Sequence, residues 1–382
     1  MKAIITADLH LGYCAFSATT DGRNTRSVDV ELAWESAVEI VVAQQPDLVL
    51  IGGDIVHHPR VGTHAVMAWR DGVRRIVTET NAHLIAVAGN HDVARSRELL
   101  SPILIPDDYD RVHIVLEPKR IRLTLESGET ASVDCFPFTA LVTDPQTYKL
   151  EPDKTADVSC LLIHAAAQTS AEGVDKLPRF YAGAEAIDIG REAERYSIIA
   201  AGDFHTFHRL HSTALALYPG SIERTSSNIW AEPDPKGIVL CDTDAGSMEF
   251  LEIPTRPMFD YDFSGSGKYP LEPCAENINL ALLQMLAGEE HRDAIVRLKI
   301  EDFPREDREH IDWGHVRELK SLTTHFYMDL RYAKRELIDL GDRRERPVAT
   351  LADEAVAFFS DDEQPVRDCA MRYLDFEAEA VA

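Results

Sequence analysis

No stretch of the 382-residue sequence approaches the roughly 18 consecutive apolar residues that a membrane span requires. The N-terminus enters an apolar run within a few residues and carries no basic segment ahead of it, so a signal peptide is not expected and a cytoplasmic protein is. Cys-x-x-Cys pairs are missing too. The six cysteines (Cys14, Cys135, Cys160, Cys241, Cys274, Cys369) are scattered, several of them inside apolar runs. That pattern suggests reduced core thiols, neither a disulfide framework nor a thiolate metal site. Positive charge is scarce, with 39 Lys and Arg against 65 Asp and Glu and a formal charge of −26. A protein that grips nucleic acid by bulk electrostatics is therefore not expected. Phosphate contact would fall to local Arg clusters or bound dications.

What is present is a recurring strand ending. The apolar run Ala3-Ile4-Ile5-Thr6-Ala7 ends in Asp8-Leu9-His10, and Leu48-Val49-Leu50-Ile51 ends in Gly52-Gly53-Asp54. Leu84-Ile85-Ala86-Val87-Ala88 ends in Gly89-Asn90-His91-Asp92, Cys160-Leu161-Leu162-Ile163 in His164, and Ser197-Ile198-Ile199-Ala200-Ala201 in Gly202-Asp203-Phe204-His205. Each run has the length and composition of a buried strand. Five strands thus deposit Asp, His or Asn at one edge, where a site is expected in an α/β fold.

Between these runs, helical spacing predicts a helix over Val28–Gln45 (Val30, Trp34, Ala37, Val38, Val41) and another over Thr63–Thr80 (Val66, Trp69, Val73, Val77). From Arg111 shorter alternating runs predict antiparallel strands of a second sheet at 112–115, 121–125 and 131–135, continued by 215–218, 237–241 and 248–251. The expected core is an α/β two-sheet sandwich flanked by helices, spanning residues 1–253. After Pro254 to Pro257 a β-α-β-α-β pattern over 258–334 predicts a small α+β accessory domain. Its strands are read near 258–263, 294–300 and 325–332, its helices near 275–286 and 305–319. Residues 335–382 are acidic, yet Leu351, Ala355, Phe358 and Phe359 recur at helical spacing. They read as a terminal helical segment, either solvated on its own domain or docking a partner.

Divalent metals take carboxylate, amide oxygen and water, and several also accept imidazole. Asp8, His10, Asp54, Asn90, His164, Asp203 and His205 supply that mixture in excess of what one ion needs. Two ions sharing one carboxylate would use all seven, and paired ions suit phosphoryl chemistry.

Asp-x-His, Gly-Gly-Asp, Gly-Asn-His-Asp, a lone His after a strand and Gly-Asp-x-His, in that order, resemble the calcineurin-like metallophosphoesterases. The resemblance narrows to the SbcD-type DNA repair nuclease branch on Asp8-Leu9-His10-Leu11-Gly12, on Tyr218-Pro219-Gly220-Ser221 with Glu223-Arg224, and on Lys236-Gly237. The β-α-β-α-β segment is similar to that branch's capping domain, and the likeness covers roughly residues 1 to 335. It implies that Asp8, His10 and His205 hold one ion, that Asn90, His164 and Asp203 hold the other, and that Asp54 bridges them. The branch mostly has His where this chain has Asp203. An oxygen donor there hardens the site toward Mn²⁺ or Mg²⁺, with Fe²⁺ and Zn²⁺ as alternatives.

On this reading the two ions neutralise a phosphodiester's nonbridging oxygens. His91, which points past Asn90's ion, donates a proton to the leaving oxygen. Asp92 either orients the His91 imidazole or caps a helix. His57 stands where the nuclease branch often has a His that helps to position DNA, although an exposed loop residue reads the same way. Arg23 with Arg26, Arg60, Arg95 with Arg97, and Arg343-Arg344 with Arg346 are either phosphate contacts or solvated charges. His113, His208, His211, His310, His315 and His325 receive no role.

The resemblance implies a two-metal-dependent DNA nuclease in repair or recombination, an exonuclease first, with endonuclease action left open by the sequence. It would act with DNA and an SbcC-type coiled-coil ATPase docked on the last segment, and as a homodimer through helices of the catalytic domain. The alternative, favoured by the acidic charge and Asp203, is a general metallophosphodiesterase or phosphatase acting on nucleotides or phosphoproteins. A metal-stabilised scaffold without catalysis would leave His91 without a purpose.

Overall fold

The computed structural model describes residues 1–93, 101–106, 108–139, 151–168, 187–263 and 272–333. Arg95, Arg97, Arg343, Arg344, Arg346 and the expected helical segment 335–382 lie outside them. Residues Met1–Tyr332 form one compact unit.

Among the described residues, two six-stranded sheets carry the fold. In chain order their strands are β1 (Lys2–Thr6), β2 (Leu48–Ile51), β3 (His83–Val87), β4 (Val112–Val115), β5 (Lys119–Thr124) and β6 (Thr130–Phe136). Then come β7 (Val158–His164), β8 (Ile198–Gly202), β9 (His208–Arg209), β10 (Leu215–Tyr218), β11 (Gly237–Asp242) and β12 (Ser247–Glu252). The first sheet has the order β12-β11-β1-β2-β3-β4 and the second β9-β10-β8-β7-β6-β5. The five strands with polar endings are central, β1, β2 and β3 running parallel to one another in one sheet and β7 and β8 in the other. Buried on both faces, they read in sequence as unbroken apolar runs.

Strand alternation divides the core into layers. Ala3, Ile5, Leu48, Leu50, Ile85 and Val87 face inward and meet Val133, Cys135, Cys160, Leu162, Ile198 and Ala200 of the second sheet. Ile4, Val49, Ile51, Leu84 and Ala86 face outward onto helices α1 (Thr25–Gln44) and α2 (Thr63–Glu79). Each Val, Leu or Ile among them, taken from water, stabilises the sandwich by about 1.5–3 kcal/mol before entropy is counted. Helix α1 starts at Asn24, whose side chain accepts the Arg26 amide at 3.1 Å. Its apolar face carries Val30, Trp34, Ala37, Val38 and Val41, as the spacing predicts. Trp34 lies against Gly72 of α2, where a Cβ would come within 2.2 Å of the indole nitrogen.

Three strands lie elsewhere than the sequence reading places them. Val112–Val115 pairs in parallel with β3, not in the second sheet; β11 joins the first sheet antiparallel to β1, and β12 pairs antiparallel to β11 at its edge. Within the second sheet, β6 and β10, expected as antiparallel strands, pair in parallel with β7 and β8. Period-2 alternation marks a half-buried strand but does not say which sheet receives it; that is decided by the long-range partners, Ala86 to Ile114 and Ile4 to Leu240.

Beyond Ile253, strands β13 (Met258–Asp262), β14 (Ile295–Phe303) and β15 (His325–Tyr332) form a separate parallel sheet with β14 in the middle. Helices α3 (Ala275–Ala287) and α4 (Trp313–Leu322) cover one face and close a core of their own around Leu282, Val296, Leu298 and Leu319. The helix expected over 305–319 begins later, because Asp312 accepts the amides of Gly314 and His315 at 2.8 and 3.2 Å and sets the start there. The segment meets the sandwich through two aromatic contacts. Phe16 stacks on His325 at 3.7 Å between ring centroids, and the Arg297 guanidinium lies 4.7 Å over the Trp230 ring.

Candidate metal centre

The carboxyl ends of the five central strands meet across the top of the sandwich. Glycines let them: a Cβ on Gly53, at φ +94°, would lie 2.6 Å from His164 Nδ1, and one on Gly89 would lie 2.1 Å from Asp54 Oδ1. Beyond the strands the chains stay tied, Asp8 N to Gly53 O and His10 N to Asp54 O, both at 2.9 Å. Asp8, His10, Asp54 and Asp203 all have positive φ (53°, 49°, 51° and 99°), a conformation non-glycine residues rarely hold unless their surroundings fix it. Four of the seven candidate ligands are so strained.

All seven converge. His10 Nε2 faces His205 Nε2 at 3.2 Å, and with Asp8 the three present ligand atoms within 4.8 Å of one another. His164 Nε2 faces Asn90 Oδ1 at 3.0 Å, Asp54 Oδ1 at 3.6 Å and Asp203 Oδ1 at 3.8 Å. Asp54 is shared: while Oδ1 points to His164, Oδ2 lies 3.8 Å from His10 Nε2. Asp8 reaches both sides, forming a second group within 4.8 Å with Asp54 and His164 and accepting the Asp203 amide at 3.1 Å.

The three imidazoles turn the same nitrogen inward. His164 Nδ1 donates to Gly52 O at 2.7 Å, His10 Nδ1 meets His57 Nδ1 at 3.3 Å, and His205 Nδ1 lies 3.4 Å from Glu232 Oε1. Each Nε2 is left toward the centre.

The electrostatics ask for cations. Burial pushes the Asp8 carboxyl up to about 7 although His205 and His164 pull it down, and burial raises Asp203 as well. His164 is driven up to about 9: burial opposes its charge, but Asp54, Asp8 and Asp203 outweigh it. His10 is held well below its ordinary value by burial and by the imidazoles of His205, His91 and His57. Three carboxylates, one amide oxygen and three neutralisable imidazoles are the donor set of a divalent-metal pair, and the residues fit such ions.

His91 sits at the rim. Its backbone N–H donates to Asp54 Oδ1 at 2.9 Å, and its ring Nδ1 lies 2.7 Å from the His57 carbonyl. Asp92 does not orient that ring. Its two oxygens accept the amides of Val56 and Gly89 at 2.9 and 2.8 Å, pinning the loops after β2 and β3 together; the segment that a helix cap would serve, 94–100, lies outside the described residues. Burial and Asp54 raise its carboxyl to about 6 in spite of those amides. His57 is no bare loop residue: it stacks on His91 at 5.2 Å and meets Tyr13 edge-on at 5.1 Å. Burial, with His91 beside it, lowers it to about 4.

Arg26 is neither a solvated charge nor a phosphate contact. It is 1% exposed and bound to Asp29 at 2.7 Å and Glu223 at 3.1 Å. Arg23 pairs with Glu31. Glu232 is a residue the sequence did not single out; it lies between the Glu223-Arg224 and Lys236-Gly237 motifs, and nothing local marks it as buried.

A family model, the calcineurin-like phosphoesterase, matches residues 1–207, more than half of the chain. The protein belongs to that family. Within the family its similarity runs to the SbcD/Mre11 branch: over 278 residues it is 24% identical to the DNA double-strand break repair protein Mre11 of Methanopyrus kandleri, which covers 66% of this chain and 57% of that protein. The Mre11 protein of Aeropyrum pernix is 31% identical over 97 residues, 25% of this chain and 22% of that one. The chain thus spans little more than half of the first relative's length and less of the second's. The crystal structure of TT1561 from Thermus thermophilus superposes at a TM-score of 0.38 with 11% identity, over 66% of this chain and 99% of that one. No helix among the described residues is long and apolar enough to cross a membrane.

Proposed function

We propose that the protein is a two-metal DNA nuclease of repair or recombination, cleaving phosphodiesters as the nuclease subunit of an SbcCD-like complex. The observation that carries the two-metal reading is Asp54, whose oxygens divide between the His10 side and the His164 side at 3.8 and 3.6 Å. Divalent cations held there, Mn²⁺ by this reading, would neutralise the nonbridging phosphate oxygens and lower the pKa of an attacking water. The chain's own part is to hold, orient and protonate. Asp8, His10 and His205 face one position, and Asn90, His164 and Asp203 the other. A protonated His91 keeps its Nδ1–H on the His57 carbonyl and offers Nε2–H to the leaving oxygen. His57 supports the rings of both His10 and His91, which ties any role in placing DNA to this wall.

DNA as substrate is supported by the Mre11 relatives and by the α+β segment packed on the sandwich. The SbcC-type ATPase, its docking on residues 335–382 and a homodimer through helices of the catalytic domain rest on the family resemblance. A second reading, a general phosphodiesterase or phosphatase, is favoured by the net charge of −26 and by Asp203. Mn²⁺-dependent cleavage of linear duplex DNA, single-stranded DNA and a chromogenic phosphodiester separates the two. The nuclease reading expects DNA cleavage, and activity on the small ester alone would remove it.

A further inference from the structure

We propose that Glu232 is a positioning residue for His205: its carboxylate fixes the tautomer of the ring so that Nε2 carries the lone pair turned toward the metal position. The inference rests on the metal-centre reading above and assigns a role to a residue outside the seven donors. Glu232 follows the short turn Ile229–Ala231 and is 5% exposed. Its Oε1 lies 3.4 Å from His205 Nδ1 and accepts the Ser226 amide at 3.1 Å; its Oε2 takes Lys236 Nζ. His205 Nδ1 is buried and makes no hydrogen bond of ordinary geometry among the described residues, and the acceptor that faces it is Glu232 Oε1 at 3.4 Å. A proton on Nδ1 leaves Nε2 unprotonated, and Nε2 is the atom that faces His10 at 3.2 Å.

Lys236 makes this arrangement directional. Its ammonium, a donor only, also bonds His205 O at 2.7 Å and Ser221 Oγ at 3.0 Å, so it holds both the backbone of His205 and the carboxylate that faces its ring. Around Glu232 every neighbour is a donor: the Ser226 amide and His205 Nδ1 on one oxygen, Lys236 on the other. Only a carboxylate accepts on both sides. In Glu232→Gln the single amide oxygen serves one side, and the NH₂ group must face donors on the other. If the oxygen stays with Lys236, the NH₂ group turns to His205, makes Nδ1 an acceptor and moves the ring proton to Nε2, where it blocks ligation.

The test has two arms. Titrating Mn²⁺ into the metal-free wild type and into Glu232→Gln by calorimetry should show one site weakened on the order of 10–100-fold in the variant, the loss typical when a histidine ligand is deprived of its outer partner. Equal affinity in a folded variant overturns the proposal. The second arm needs no variant. Nitrogen-15 NMR of histidine-labelled, metal-free wild type at alkaline pH, with His205→Asn to assign the signal, should find His205 as the Nδ1–H tautomer. An Nε2–H tautomer overturns the proposal even if Glu232→Gln does not fold. Were the wild type to take up no Mn²⁺, the two-metal reading would fall, while the NMR arm would still decide the role of Glu232.

Discussion

His10 and His205 face each other Nε2 to Nε2 at 3.2 Å, one delivered by β1 of the first sheet and the other by β8 of the second. Two ring nitrogens so close and both aimed at one position make sense as ligands of a shared ion. Their meeting also makes the site a product of sheet stacking, since neither sheet holds the donors alone.

His91 is the proton donor of this account and not a ligand. In His91→Asn, bound metal measured by plasma mass spectrometry should persist while turnover falls by about two to four orders of magnitude. Full activity would remove His91 from the mechanism.

Gly89 leaves no room for a methyl group, because a Cβ would lie 2.1 Å from Asp54 Oδ1 and 2.4 Å from the Asp54 amide. Gly89→Ala should cost about 1–3 kcal/mol in denaturant unfolding and should weaken metal uptake by displacing the shared carboxylate. Wild-type stability and affinity together would contradict the packing described here.

The charge network separates buried pairs from exposed ones. Arg26→Ala strands Glu223, itself 1% exposed, and half of Asp29's partners, and should cost about 3–5 kcal/mol. Arg331→Ala breaks a pair with Asp329 at 2.9 Å, but the arginine is 59% exposed and solvent screens the pair, so its unfolding midpoint should match the wild type's. Urea unfolding of the two variants checks the contrast.

Glu232 gives the fold a pH signature. Burial opposes its charge, yet His205 and Lys236 hold the carboxyl down to about 2, below its ordinary 4.5. A carboxyl lowered in the folded state stabilises above the unfolded value, and that stabilisation is lost as pH falls from about 4.5 toward 2. Unfolding free energies of the metal-free protein should therefore drop as pH falls from about 4.5 to about 2, less steeply in Glu232→Gln. Parallel slopes would show that Glu232 carries no such linkage.

The strand endings were legible because each places a metal-type donor directly after an apolar run, a coupling of pattern and chemistry that survives without knowledge of the partners. The sheet that receives a strand was not, since Val112–Val115 and β11 owe their places to pairing partners far away in the chain. Asp92 illustrates the limit within the site. Its position beside His91 suggested a ring contact, but its side chain points back to amides of Val56 and Gly89, and only the fold brings Val56 there. Glu232 stayed hidden for the same reason: it follows the turn Ile229–Ala231, and its partner His205 lies in a strand ending 27 residues earlier.

The most direct test is the number of Mn²⁺ ions bound per chain, measured by equilibrium dialysis and elemental analysis of the wild type and of Asp54→Ala. The account predicts two ions in the wild type and loss of affinity at both positions in the variant, because one carboxylate serves both. A wild type that binds none, or a variant that retains both, would contradict it.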